Sequence, residues 1–311
     1  MKNRVFALML VCIFLLMPSC SGEEKSANTQ LVLGVMPSMD YLPLAVAQRE
    51  SYFATMGLDL KIVKFYSANE RDAAFQSGSV DGVVIDYTGA LLQKKGGVDL
   101  ALTSRCDAPF FVMSAPKSGI NDLAELKGAS IAVSQNTVID YLMDMALHSA
   151  GLTETDVNKV EINKIPVRFE MLMGDKVGAT GLPNPLAMMA EQSGAKVISS
   201  NSELGLSITG IIFSGKAMRE KPELIKKMYQ GYNHGVDYLM EHGPEDVRSI
   251  LVDDMGFRPE LVPQTVLPSY TWSALPPEKD LQSVQDWLAG RGLVSPDLDV
   301  KTMTNGSFLP Q

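Results

Sequence analysis

The chain has 311 residues, 46% of them hydrophobic and 20% charged, enough for two compact α/β units each with its own core. Its formal net charge is −9, and no basic cluster is present to neutralise phosphates, which excludes a nucleic-acid-binding role. With three cysteines, the chain does not have the composition of a disulfide-stapled scaffold either.

Residues 1–19 read as a secretory signal peptide. Lys2 and Arg4 give the positive start, and the apolar run 5–17 is too short for a bilayer span but suits a signal core. Met17-Pro18-Ser19-Cys20 resembles a bacterial lipoprotein cleavage box, with Cys20 as the lipidated residue. The alternative is ordinary cleavage beside an idle thiol. Residues 20–30 then form a polar, flexible, lipid-anchored linker. Cys12 leaves with the signal and Cys20 goes to lipid. Only Cys106 remains, so stability rests on the core.

The pattern predicts a first strand at 31–36, leaving through Pro37-Ser38-Met39-Asp40-Tyr41 into a helix that Pro43 opens and that runs on to Tyr52-Phe53. A second strand at 58–65 leads into residues 66–87, around which the rest is organised. Here a pocket loop precedes a helix with Ala73, Ala74 and Phe75 inward, and Ser77-Gly78-Ser79 stops that helix. The β-branched run Val83-Val84-Ile85 follows, as expected of a strand covered on both faces. It ends at Asp86-Tyr87, a carboxylate and an aromatic where a parallel sheet presents its binding crevice. A helix through Leu91 and Leu92, a strand at 100–103 and the loop Arg105-Cys106-Asp107 complete this part.

Residues 110–113 read as a further buried strand of the first lobe, with the crossing to a second lobe at Pro116. A short capped helix at 121–126, a strand at 130–133 and a helix opened by Ser134-Gln135-Asn136-Thr137 come next. On that helix Asp140, Asp144 and His148 share one stripe, expected to be an exposed polar face rather than a metal site. Strands are expected at 160–165, 177–182 and 196–198, and a short helix at 169–173. Aligning Val80-Asp81-Gly82 with Val177-Gly178-Ala179 sets Asp86-Tyr87 opposite Pro183-Asn184, so the two lobes face each other with matching loops. A strand at 208–214 returns to the first lobe. Helices at 222–242, from Pro244, and at 279–291 with Trp287 inward close the chain. The expected division is 31–115 with 212–311 as one lobe and 116–211 as the other, hinged at 114–116 and around Gly210-Ile211.

Several of these segments resemble one family. They are Ser51-Tyr52-Phe53 with Met56-Gly57-Leu58-Asp59, residues 75–82 (FQSGSVDG), residues 119–132 (GINDLAELKGASIA) and Gly151-Leu152. Together they resemble solute-binding proteins of ATP-driven importers, in the group that takes sulfonates, taurine and thiamine-type pyrimidines. The resemblance implies an α/β, two-lobe periplasmic-binding-protein-like fold with the ligand cleft between lobes, and an ABC transporter permease as partner. Two departures stand out. Asp175-Lys176-Val177-Gly178-Ala179 replaces the group's Gly-x-Val-Asp-Ala, and Asn184-Pro185 stands where Glu-Pro is common, so a carboxylate is missing from the second lobe.

Four loops are expected to converge on the cleft: Ser38, Met39, Asp40 and Tyr41; Ser67 and Asn69; Asp86, Tyr87 and Thr88; and Ser134, Gln135, Asn136 and Thr137, with Asn184 and Arg105 nearby. The helix opened by Ser134 offers free N–H groups and a positive dipole end to an anion, although Ser134 or Asn136 can equally be a cap alone. Tyr41 and Tyr87 offer stacking faces, and Asp40 and Asp86 acceptors for an amine or ring N–H; Asp40 can equally cap the next helix. Arg105 either meets an anion or pairs with Asp107. His148, His234 and His242 fall on helices away from these loops, so no catalytic residues, metal or cofactor are expected. The expectation is an exported lipoprotein, on the membrane through its anchor only, that delivers an aminopyrimidine-like or taurine-like solute to an importer. A simple alkanesulfonate fits less well. The alternative is an enzyme on the same fold acting on a small aromatic or pyrimidine metabolite.

Overall fold

The computed structural model describes residues 29–310; the expected signal peptide and the expected lipidation site, Cys20, lie outside the described residues. Ten strands form two five-stranded sheets. In the first, the order is β2 (Asp59–Lys64), β1 (Gln30–Val35), β3 (Gly82–Asp86), β10 (Thr209–Ser214) and β4 (Leu100–Arg105). In the second it is β7 (Asn158–Glu161), β6 (Ser130–Val133), β8 (Ala179–Pro183), β5 (Phe110–Ser114) and β9 (Lys196–Ser200). Each sheet has parallel strands on one side and a single reversed strand, β10 or β5, that pairs antiparallel with both of its neighbours.

Helices cover the sheets. They are α1 (Leu42–Arg49), α2 (Tyr52–Thr55), α3 (Ala68–Gln76) and α4 (Tyr87–Lys95) before the first crossing, and α5 (Val138–Ser149), α6 (Ile165–Met173) and α7 (Leu186–Gln192) in the second lobe. After the return come α8 (Gly215–Glu220), α9 (Pro222–Glu241) and α10 (Glu278–Gly290). All five residues of β3 are buried, as its β-branched run requires of a central strand covered on both faces. Gly231 and Gly235 let α9 seat on the first lobe: a Cβ at either would run into the Phe53 ring or the Pro43 carbonyl. One apolar cluster joins Leu91 of α4, Leu142 of α5 and Leu281, Val284 and Leu288 of α10, so the last helix packs on both lobes at once.

Several elements differ from their sequence expectation. Phe110–Ser114 belongs to the second sheet, because its partners are β8 and β9. The chain therefore changes sheet between Arg105 and Phe110 and again between Ser200 and Thr209, not at Pro116 or Gly210-Ile211. Gly210 and Ile211 are paired on both sides within β10. The first helix is broken at Glu50-Ser51, where Ser51 takes φ 59°. The expected helix at 121–126 shrinks to a single turn, Ala124–Leu126, and in place of the helix expected from Pro244 there is a π turn at Ile250–Asp254 and a 3-10 segment at Pro259–Gln264. Asp140 and Asp144 are not an exposed stripe. Both are buried and ion-pair with Lys159 and Arg291, and Trp287 Nε1 donates to Asp144 at 2.9 Å.

Candidate functional site

The two sheets repeat one plan, and α3 and α6 are its matching parts. Each is nine residues long, leads into the middle strand of its sheet and ends near a left-handed residue, Gly78 at φ 74° or Asp175 at φ 51°. The same spacing that sets Gly82 against Ala179 and Asp86 against Pro183 sets Arg71 of α3 against Arg168 of α6. Both arginines are 2% exposed, and both line one cavity between the lobes.

Their surroundings differ in charge. Arg71 Nη1 donates to Asp86 at 3.0 Å, and its Nε donates to Asp72 at 2.8 Å. Asp86 also accepts from Gly89 N at 2.8 Å, capping α4, and from Thr88 Oγ1. Burial alone would raise the Asp86 pKa, but Arg71 and these hydrogen bonds outweigh it and hold it below the usual carboxylate range. Arg168 sits opposite a proline strand end and forms no ion pair among the described residues. Its Nη1 donates to the Ile162 carbonyl at 2.9 Å, while Nε has no partner among the described residues. Burial pushes its pKa down to about 10, with Glu161 acting weakly the other way, so it stays charged at neutral pH.

Asp40 completes the cavity wall. It accepts from Ser38 Oγ at 3.1 Å, Ala108 N at 3.2 Å and Thr209 Oγ1 at 3.4 Å. Burial nonetheless pushes it up to about 7. Ser134, Thr137, Val138 and Ile139 bring the first turn of α5 to the cavity. The first N–H groups of a helix have no partner along it, and Thr137 gives this helix no side-chain cap. The cavity has a volume of about 40 Å³. That is roughly the space of a few water-sized groups, or one small anionic head group.

The residues expected from sequence divide among several places. Ser38, Asp40, Asp86, Ser134 and Thr137 line the cavity. Asn69, Gln135 and Asn136, with Asp86 and Thr137 again, line an adjoining groove beyond Arg71. Ser67 is buried as the cap of α3, and Thr88 bonds Asp86. Met39 is core. Tyr41 donates to the Asp254 carbonyl on another face, and Tyr87 is buried against Ser207, so neither ring lines the cavity. The aromatic residue that does line it is Phe110. Arg105 pairs with Asp107 at 3.2 Å, away from the cavity. Asn184 lines a third groove with Phe111, Met188 and Pro268. Sequence reasoning missed Arg71, Arg168 and Asn163. The repeat carried the signal for the arginines, had it been extended back into the helices. Among the described residues no group of His, Cys, Asp or Glu is placed to hold a metal, and no helix is long and apolar enough to cross a membrane.

Comparison with known proteins agrees with this architecture. A protein of Brachyspira hyodysenteriae named as an ABC transporter periplasmic binding protein is 24% identical over 257 residues, 75% of this chain and 72% of that protein. The periplasmic aliphatic sulphonate binding protein SsuA of Escherichia coli superposes with a TM-score of 0.72 at 18% identity, over 89% of this chain and 92% of that one. The periplasmic nitrate-binding protein NrtA of Synechocystis PCC 6803 gives 0.76 at 12% identity, over 90% and 87%. These likenesses show the periplasmic-binding-protein fold. The family model described as NMT1/THI5 like matches residues 38–246, and the chain belongs to that family.

Proposed function

We propose that this chain is the extracytoplasmic solute-binding component of an ABC importer, closing its lobes on a small organic solute with an anionic end. One observation carries the reading: Arg168 is a buried cation facing the cavity with no ion-pair partner among the described residues. A buried charge left unpaired is costly, and an anion in the cavity relieves that cost. The uncapped first turn of α5 adds positive potential on the same side. The names of the relatives, an importer's binding protein among them, point the same way.

The opposite end of the solute is an amine. Asp86 is already committed to Arg71 and to the α4 cap, which leaves Asp40 as the carboxylate for it. A taurine-like aminosulfonate therefore suits the cavity better than an aminopyrimidine, for which neither Tyr41 nor Tyr87 supplies a stacking face. Delivery to a permease follows from this role, and Cys20 would hold the receptor at the membrane. Native mass spectrometry of the full chain tests the reading. The expected result is a retained solute carrying a sulfonate, carboxylate or phosphate; a purely cationic or neutral one would contradict it.

A further inference from the structure

The donors still free in the cavity decide what the anionic end of a solute meets there. Four hydroxyls line it, and each spends its hydrogen on the protein itself. Ser38 Oγ and Thr209 Oγ1 donate to Asp40, and Thr137 Oγ1 donates to the Ser134 carbonyl at 2.7 Å. Ser134 Oγ donates to Asn163 Oδ1, also at 2.7 Å. A hydroxyl has one hydrogen to give, so none of the four has one left for a solute. Arg71 is committed to Asp72 and Asp86, and its unmet Nη2 is sealed within the protein. Two side-chain donors remain, Nη2 of Arg168 and Nδ2 of Asn163. Neither has a partner among the described residues, and neither is sealed off as Arg168 Nε is.

The backbone keeps these two donors together. Arg168 Nη1 donates to the carbonyls of Ile162 at 2.9 Å and of Asn163 at 3.4 Å, so the guanidinium is tied to the segment that carries the amide. With Oδ1 taken by Ser134, Nδ2 is the free end of that amide. The next two residues reach across to the first lobe. Lys164 Nζ lies 3.5 Å from Glu70 Oε1, and Ile165 N donates to the Tyr66 carbonyl at 3.3 Å. Asn163 is thus held from its own lobe and from the other.

We propose that Asn163 is a specificity-determining residue of this cavity. Its Nδ2, Arg168 Nη2 and the uncapped N–H groups that open α5 are three separate donors for one head group, which favours a three-oxygen sulfonate over a two-oxygen carboxylate. This deepens the anion reading and rests on it. A carboxylate leaves one of the three donors unmet in a site that excludes water, a loss that a sulfonate avoids. Ser134 is the positioning residue, because its hydrogen bond fixes which end of the amide faces the solute.

Taurine and β-alanine share an amine and a two-carbon spacer and differ only in the head group. Titrated calorimetrically into the full chain, taurine should bind at least about tenfold more tightly, the effect of one charge-assisted hydrogen bond. In Asn163→Ala that ratio should fall towards one, because taurine loses more than β-alanine does. Ser134→Ala frees the amide to turn and should narrow the ratio as well; a merely structural role would not change a ratio between two solutes. Asn163→Asp keeps an acceptor for Ser134 and should abolish taurine binding, since a carboxylate then faces the anion. Equal affinities or tighter β-alanine in the wild type, an unchanged ratio in Asn163→Ala or Ser134→Ala, or full taurine affinity in Asn163→Asp would overturn this inference and leave the anion reading standing. Binding of neither solute by the wild type would overturn it together with the reading of a taurine-like solute.

Discussion

Arg71 and Arg168 hold the same position in two matching helices, yet only Arg71 meets a carboxylate, because Asp86 ends β3 where Pro183 ends β8. The lobes thus contribute one neutralised and one uncompensated cation to a shared cavity. That asymmetry is the basis of the proposed anionic solute, and it sets the two aspartates of the first lobe in different surroundings. Asp86 is structural. Asp40, held by no cation, is the carboxylate that the proposed function assigns to the ligand.

Asp86→Asn should therefore act on stability before it acts on binding. It removes one partner of a buried ion pair and weakens the acceptor that caps α4. Losing such a pair costs roughly 3–5 kcal/mol. Urea unfolding should show a lower midpoint with an unchanged slope; a midpoint equal to wild type would show that the pair contributes nothing.

The pH dependence should follow Asp40. Its pKa rises from 3.8 to about 7 on burial, so the folded chain keeps a proton that the unfolded chain has released. Its contribution to stability is full below about 3.8 and is lost as pH rises through about 7. An amine held at Asp40 favours the ionised carboxylate. Taurine affinity should climb as pH approaches 7, by about tenfold per unit below that value, and level off above it. A flat titration between pH 5 and 8 would place the amine elsewhere.

The buried network under α10 should hold that helix to the second lobe. Asp144 meets Lys159, Arg291 and the Trp287 indole, and Tyr141 packs edge-on against Trp287 at 5.5 Å. Asp144→Ala removes one of the carboxylates that Lys159 and Arg291 share, leaves them Asp140, and should cost roughly 1–3 kcal/mol through the unmet Trp287 indole and the weakened network. Hydrogen exchange should then quicken across residues 278–291. Unaltered protection there would mean that the apolar contacts alone hold α10.

Much of the plan was legible in the sequence where hydrophobic period and punctuation agree. The strand expected at 130–133 is β6, and the run Val83-Val84-Ile85 lies in β3 with Asp86 at its end. What escaped was fixed by partners distant in the chain. Arg71 on a short helix reads as a solvated residue, whereas Asp86 at the end of β3 and the start of α4 hold it in the interior. Asp140 and Asp144 read as an exposed stripe because Arg291, their partner, lies on the far side of the sequence. Phe110–Ser114 read as a first-lobe strand because chain order suggests that, whereas its hydrogen bonds run to β8 and β9. Tyr41 and Tyr87 were placed in the cleft by position, but both rings turn into the core.

Attachment at Cys20 has its own test. Cys20→Ala should release the protein from the membrane fraction or block its maturation, with loss of the mass of the lipid. Unchanged detergent partitioning and mass would mean that Cys20 carries no anchor.

The most direct test of the account is calorimetric binding of taurine, ethanesulfonate and ethanolamine to the wild-type chain and to Arg168→Met. In the wild type taurine should bind best, ethanesulfonate more weakly, and ethanolamine not measurably. In Arg168→Met both sulfonates should lose at least about tenfold in affinity, as expected for a charge-assisted hydrogen bond. The variant without solute should melt no lower than wild type, because a buried unpaired charge has gone. Ethanolamine binding better than ethanesulfonate, or sulfonate affinity unchanged in Arg168→Met, would contradict the claim that Arg168 receives the anion.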